Sequence, residues 1–242
     1  MSNNFYATAI SGIGEIRKDE NIGDLVTSAL GSDIENGDVF VIASKIVSKS
    51  QGREVFLKDV VLSEQARELS TQTGKPVEVC QIVLDECSKV FLSPHGTLIG
   101  IHKLGFRLTS GGVDKYTKES VMLIPSNPDQ TATDIRVAIE KVANKQVSVL
   151  IVDSDGRDDR KGAISVALGV SGFSPIQRTE HTDVMSGKPK YAEEDLSAML
   201  ANAAALLLGQ RSKGTPVVLI RGLELERNLT GSIVRDVLSK VE

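Results

Sequence analysis

Apolar residues along the chain fall into two kinds of run. Unbroken, β-branched segments of strand length occur at Phe5 to Ile10, Asp38 to Ala43, Val147 to Val152, Ala163 to Ser171 and Pro216 to Ile220. Side chains that are apolar at successive rather than alternate positions predict strands covered on both faces. Between them lie segments with helical spacing. Ile22 to Leu30 predicts a short amphipathic helix, and Ser63 to Thr73 a second, with Ser63 as its cap. Pro76 to Cys87 predicts a third, entered through a proline that suits a first turn. Asp129 to Asn144 presents Ile135, Ala138, Ile139 and Val142 on one face, and Glu193 to Leu208 is rich in alanine and leucine before Gly209, a C-cap residue. Gly231 to Val241 predicts a terminal helix.

The remaining segments are turns and irregular pieces. Arg53 to Leu62 reads as extended, and Val90 to Leu92 with Thr97 to His102 as a hairpin around Ser93-Pro94-His95-Gly96. Arg221 to Glu224 reads as a tight exit from the last strand. Pro175 to Tyr191 is polar and long for a connection, which predicts a flap or a partner contact. The order of strands and helices predicts an α+β fold with mixed sheets, one domain over residues 1–242 that can divide into two interleaved subdomains.

At 242 residues, with 40% hydrophobic and 25% charged positions and a formal net charge of -4, the composition is that of a soluble globular protein. The acidic balance argues against a nucleic-acid coat or a basic membrane-surface protein. No apolar run reaches the ~18 residues of a membrane helix, and the first ten residues lack signal-peptide character, so a cytoplasmic location is expected. Cys80 and Cys87, placed two turns apart on one helix, are too distant for a disulfide and are expected to be reduced. His95, His102 and His181 show no metal-ligand spacing.

Chemistry concentrates where strands end. The strand ending at Val152 runs into Asp153-Ser154-Asp155-Gly156-Arg157-Asp158-Asp159-Arg160-Lys161-Gly162. Carboxylates at the mouth of a buried strand suit a divalent cation and the phosphates it carries, since Mg²⁺ is usually held by only one or two carboxylates. A solvated polar turn is the alternative. The strand ending at Ala43 runs into Ser44-Lys45-Ile46-Val47-Ser48-Lys49-Ser50-Gln51-Gly52-Arg53, whose cations and hydroxyls suit phosphate oxygens. A solvated helix face would look the same. In Gly105 to Lys118, Ser110-Gly111-Gly112 permits positive φ or a close ligand approach, and Asp114 follows. Asp114 and Asp153 therefore end separate strands, an arrangement that suits a metal site assembled by folding.

Three familiar sites are excluded by spacing. Gly12-Ile13-Gly14-Glu15 has no third glycine for a Rossmann fingerprint, and the segment after Ala43 lacks P-loop glycines. Asp153-x-Asp155-Gly156 fails as an EF-hand, because its twelfth position is Ile164 instead of a bidentate glutamate.

Taken in order, several stretches resemble the coenzyme F420-0:γ-glutamyl ligase family. They are Gly37-Asp38-Val39, Ser44 to Lys49 with Gly52-Arg53, Gly112-Val113-Asp114, Pro128-Asp129 with Ile135-Arg136, and Asp153-Ser154 with Gly156-Arg157. Val166 to Val170 and Pro216 to Leu223 complete the series. The resemblance spans about Gly12 to Glu224. It implies a GTP-dependent ligase in which the carboxylate of a deazaflavin side chain is activated as an acyl phosphate and attacked by the amine of L-glutamate. By match to the family motifs, Asp114, Asp153 and the Ser154 hydroxyl would hold Mg²⁺ or Mn²⁺, with K⁺ as an accessory cation. Ser44, Lys45, Lys49 and Thr117 would contact the nucleotide, and Gly12, Ile13, Gly14 and Glu15 would form part of its pocket. Independently of the family match, Arg157 is a cation able to stabilise the transferred phosphoryl group, with Lys49 as a second. The family's members resemble intertwined homodimers, which would give the alanine-rich helix a partner.

Departures from the family pattern accompany these matches. Tyr116 and Thr117 stand where the family commonly has Ser and Asn, and Asp158-Asp159-Arg160 where it tends to have Pro-aromatic-Arg. Extra acids beside an anionic substrate repel it unless cations offset them. A ligase acting on another carboxylate, and a non-catalytic nucleotide- or deazaflavin-binding protein, are the two alternative readings.

Overall fold

The computed structural model describes residues 4–185, 187–208 and 214–238. The fold is α+β. Its centre is a six-stranded sheet built from β1 (Tyr6–Ala9), β2 (Val39–Ala43), β9 (Ser148–Asp155), β10 (Ile164–Phe173), β13 (Val217–Arg221) and β14 (Arg227–Asn228), in the order β1-β13-β2-β9-β10-β14. Only β2 and β9 pair in parallel, Val39 opposite Ser148 through Ala43 opposite Val152. The apolar runs of β2, β9 and β13 are buried at consecutive positions, so both faces of the sheet are covered.

Two helical layers do the covering. On one side α5 (Pro128–Ala143) lies on β9 and β10, with α1 (Ile22–Leu30) packed against it. Gly23 permits that contact, because a Cβ there would stand 2.6 Å from the Ala138 Cβ. Across the sheet runs α6 (Leu196–Leu208), from β10 to β1. Phe40, Leu150, Ile151, Leu168, Phe173 and Ile220 are fully buried in the resulting core.

Parallel neighbours need a long crossover. Between β2 and β9 it begins with α2 (Ser44–Ser50) and ends with α5, and between these it builds a second, smaller assembly. One sheet there is β3 (Glu54–Phe56), β8 (Ser120–Met122) and β7 (Asp114–Lys115), in that order; the other is β4 (Cys87–Leu92), β5 (Leu98–His102) and β6 (Arg107–Thr109). α3 (Glu64–Thr73) and α4 (Val77–Glu86) pack with them around Ile82, Val83, Cys87, Leu98, Val113, Val121 and Leu123. Arg53 joins this assembly to the end of α2, its side chain donating 2.7 Å to Glu86 and 3.1 Å to the Ile124 carbonyl.

The capping and turn expectations hold in detail. Ser63 Oγ accepts from the Ala66 N–H, α5 starts on Pro128 and closes on Asn144 in the left-handed region, and the Ser93 to Gly96 turn joins β4 to β5. Cys80 and Cys87 are free and buried as expected, but only Cys80 lies in α4; Cys87 opens β4. No helix among the described residues is long and apolar enough to cross a membrane.

Four further expectations change. Pro175 to Tyr191 is not a loop: β11 (Ile176–Thr182) and β12 (Pro189–Asp195) form an antiparallel arm. Its pairing takes Glu193, Glu194 and Asp195 into β12, opposite Arg178, Gln177 and Ile176, so α6 begins only at Leu196. Within the expected extended segment 53–62, only Glu54 to Phe56 is strand and a 3-10 turn follows. The terminal helix spans only Ile233–Asp236. Gly209, read as a C-cap, lies outside the described residues.

Candidate functional site

The register of the central sheet decides where chemistry can occur. β1 is antiparallel to β13 and β13 to β2, while β9 is parallel to β2, so β1, β2 and β9 all end at one edge. Their continuations are the segments singled out by sequence: Gly12 to Glu15, Ser44 to Lys49, and Asp153 onward. The cleft at this edge is lined by Ser44, Lys45, Ser48, Asp114 and Asp153, together with Gly112, Met122, Leu123 and Ile124.

β2 passes directly into α2, which puts Ser44 beside the end of β9. Its hydroxyl donates to Asp153 Oδ1 at 2.8 Å. One position on, the Lys45 ammonium stands 3.6 Å from Asp114 Oδ2, both side chains about half exposed at 50% and 53%. Burial first and the Asp114 charge second push the Asp153 carboxyl up to about 6, against the lowering effect of the Ser44 hydroxyl and the Ser154 N–H. Asp114 and Asp153 face one half-closed cleft, an arrangement that could hold a divalent cation.

Asp114 does not end a strand as expected; it opens the two-residue β7 and owes its position to the turn before it. Ser110, Gly111 and Gly112 have φ of 50°, 61° and 76°, three left-handed residues in succession. The two glycines are also closely packed: a Cβ on Gly111 would meet Cys87 Sγ at 2.4 Å, and one on Gly112 would meet Ile124 at 2.8 Å. The turn is held to β9 by Asp155, which accepts from the Thr109 N–H at 2.9 Å and its hydroxyl at 2.6 Å. Asp155 is buried, and burial raises its carboxyl above the ordinary range. It lies two residues after Asp153 and shares its side of the strand. One strand end thus supplies an acid to the cleft and anchors the turn carrying the other.

The structure brings Ser44, Lys45, Asp114 and Asp153 together, and places Lys49 one helical turn beyond Lys45. The Lys49 ammonium sits 5.3 Å from the Tyr116 ring centroid, a cation–π contact. Thr117 bonds Ser120 at 2.6 Å, and Ser120 in turn donates to Glu54. Gly12 and Gly14 have φ of 85° and 72°, Ile13 is buried, and Glu15 is exposed. That loop runs on to Asp19 and Glu20, which bond Ser50 and so tie it to α2.

Ser154 and Arg157 stand differently. The exposed Ser154 alternates to the other side of β9 from Asp153, so its N–H, not its hydroxyl, reaches the Asp153 carboxylate. Arg157 is bonded to Asp159 at 3.2 Å. Asp159 also receives Arg160 at 2.8 Å, and Asp158 pairs with Arg107, so the extra acids are met by cations.

Among the described residues, no group of three or more His, Cys, Asp and Glu side chains could hold a metal. Two carboxylates with an open cleft fit Mg²⁺ or Mn²⁺, which keep water and take phosphate oxygens as further ligands. A buried hydroxyl without a partner, Ser48 Oγ, lines the same cleft. The supporting roles of Asp155, Thr109, Ser48 and Tyr116 are not assigned by the sequence, although Ser48 is among its phosphate-suited hydroxyls and Asp155 among its clustered acids. The i, i+2 spacing of Asp153 and Asp155 and the i, i+4 spacing of Ser44 and Ser48 were the signals that could have found two of them.

Comparison with known proteins identifies the family. A sequence model of the family described as F420-0:Gamma-glutamyl ligase matches residues 12–222. The coenzyme F420:L-glutamate ligase of Methanocaldococcus jannaschii is 37% identical over 191 residues, covering 78% of this chain and 77% of its own. The enzymes of the same name from Methanothermobacter thermautotrophicus and Methanosarcina mazei are 31% and 32% identical, covering 88% and 91% of this chain and 87% of each relative. The paired acids Asp114 and Asp153, the Ser-Lys helix start and the glycine turn are found in a chain that belongs to the F420-0:γ-glutamyl ligase family of enzymes.

Proposed function

We propose that the protein joins L-glutamate through an amide bond to the carboxylate of coenzyme F420-0, using GTP and a divalent cation. The observation that carries this reading is the convergence of Asp114, Asp153, Ser44 and Lys45 in one cleft, in a chain of this family. In the first half-reaction a carboxylate oxygen of the acceptor attacks the γ-phosphorus of GTP, the bond to the β-phosphate oxygen breaks, and GDP leaves. In the second the glutamate amine, having lost a proton, attacks the acyl carbon, and inorganic phosphate departs.

Such transfers need positioning and charge neutralisation more than covalent help. Asp114 and Asp153 would hold Mg²⁺ or Mn²⁺, with Ser154 beside them; when bound, the cation supplies charge neutralisation at the phosphates. Lys45 and Lys49 would contact the nucleotide phosphates with Ser44 near them, and Gly12 to Glu15 and Thr117 would contribute to its pocket. Lys45 pairs with Asp114, and at half exposure it would be free to turn to a phosphate if a cation took over the carboxylate. Arg157 would reach the transferred phosphoryl group only by leaving Asp159. The exposed β11–β12 arm, too small to be stable alone in water, supports pairing with a second copy.

The test is mass spectrometry of the deazaflavin after incubation with GTP, Mg²⁺ or Mn²⁺ and L-glutamate. A mass gain of one or more glutamyl units is expected. An unchanged deazaflavin, with nucleotide still protecting the protein against heat, would assign it a different acceptor or a binding role.

A further inference from the structure

Ser48 is 1% exposed, and its Oγ has no hydrogen-bond partner. Among the described residues one other buried side-chain atom shares that condition, His102 Nε2, and it faces Glu86 at 3.5 Å. Ser48 has no such neighbour. A serine inside a helix commonly gives its proton to the carbonyl four residues back, and this one does not. It stands one helical turn after Ser44, so both hydroxyls lie on the side of α2 that lines the cleft with Asp114 and Asp153. The wall beside it, Leu123 and Ile124, is apolar at its side chains. A buried hydroxyl left unpaired costs free energy that alanine would not, which points to a partner arriving with the ligand.

We propose that Ser48 is a positioning residue whose hydroxyl would bond an oxygen coordinated to the divalent cation that Asp114 and Asp153 would hold. The inference rests on the metal reading given under the proposed function. Two oxygens share the required chemistry: a water of the cation's shell, from which the hydroxyl accepts, and a phosphoryl oxygen of the nucleotide, to which it donates. Ser44 cannot also donate to a phosphoryl oxygen, because its proton is committed to Asp153.

The experiment compares wild type with Ser48→Ala by electron paramagnetic resonance titration of Mn²⁺, alone and with guanylyl imidodiphosphate, beside the melting temperature without metal. Removing the hydroxyl leaves the metal-free melting temperature unchanged or raises it, and weakens Mn²⁺ binding about 10-fold, the usual size of an outer-sphere effect. Weakening with Mn²⁺ alone identifies a water; weakening confined to the nucleotide arm identifies a phosphoryl oxygen. Equal affinities in both arms overturn the proposal, and a lowered metal-free melting temperature with unchanged affinity assigns the hydroxyl to packing. If wild type itself binds no Mn²⁺ in either arm, the metal reading fails and this inference goes with it.

Discussion

Ser44 Oγ donates to Asp153 Oδ1 across 2.8 Å, although the residues are 109 positions apart. The bond joins the first residue of α2 to the end of β9 and so unites the two most polar strand ends of the chain. It also favours the charged form of a carboxyl that burial and Asp114 push toward protonation. Ser44→Ala removes that support. The expected result is divalent-cation binding weakened about 10-fold near neutral pH, as for other groups that orient a ligand, with little change in the melting temperature without metal. Calorimetric titration with Mn²⁺ checks it.

The raised Asp153 carboxyl gives the metal-free protein a defined pH response. Its folded value, about 6, lies above the unfolded value for aspartate, so the folded state holds the proton more tightly. The stabilising contribution of that proton is complete at acidic pH and is lost as pH rises through about 6. A cation competes with the proton for the same oxygens. Mg²⁺ or Mn²⁺ should therefore raise the melting temperature strongly at about pH 7.5 and hardly at about pH 5. A shift of equal size at both values would mean that cations stabilise the chain elsewhere.

Asp155 is expected to act through Asp114. Asp155→Ala leaves the Thr109 N–H and hydroxyl without their acceptor and should cost about 1–3 kcal/mol of stability. Catalysis should fall more than folding, because the turn that places Asp114 loses its tether to β9. Denaturant unfolding set beside turnover at a temperature where the variant is folded separates the two effects. Turnover that merely tracks the folded fraction would reduce Asp155 to a stabilising role.

Gly111→Ala tests the turn from its other side. The substitution combines a left-handed backbone with a Cβ placed 2.4 Å from Cys87 Sγ, so repacking is forced. A loss of about 1–3 kcal/mol is expected from backbone strain alone, visible as a lower denaturation midpoint. Cys87→Ala in the same chain should recover part of the loss, which ordinary strain without the contact would not allow.

Legibility in the sequence followed burial. The strand from Val147 was readable because consecutive β-branched residues leave few alternatives, and Asp153 was conspicuous because it breaks that run. α5 announced itself through Asn127-Pro128-Asp129 and one apolar face. The arm was not readable: Gln177 to Thr182 and Lys190 to Glu194 are exposed throughout, so no alternation records their strand pairing. α2 was also ambiguous, since Ile46 and Val47 are buried while Ser44 and Ser48 turn polar groups into the cleft. The site was legible in its charged members and hidden in its supports. Asp155 and Thr109 meet only in the fold, 46 positions apart, and Tyr116 gained significance only once Lys49 lay over its ring.

The central claim is that Asp114 and Asp153 form the metal-binding pair of a GTP-dependent glutamate ligase. The most direct measurement follows phosphate released from GTP and glutamyl product formed, with coenzyme F420-0, L-glutamate and Mn²⁺, in wild type and in Asp153→Asn. Wild type should release one phosphate for each glutamyl unit added, and only with metal, while folded Asp153→Asn should lose turnover by at least about 100-fold, given the weight of electrostatic stabilisation in such sites. Metal-independent turnover, or a folded Asp153→Asn that keeps wild-type activity, would contradict the account.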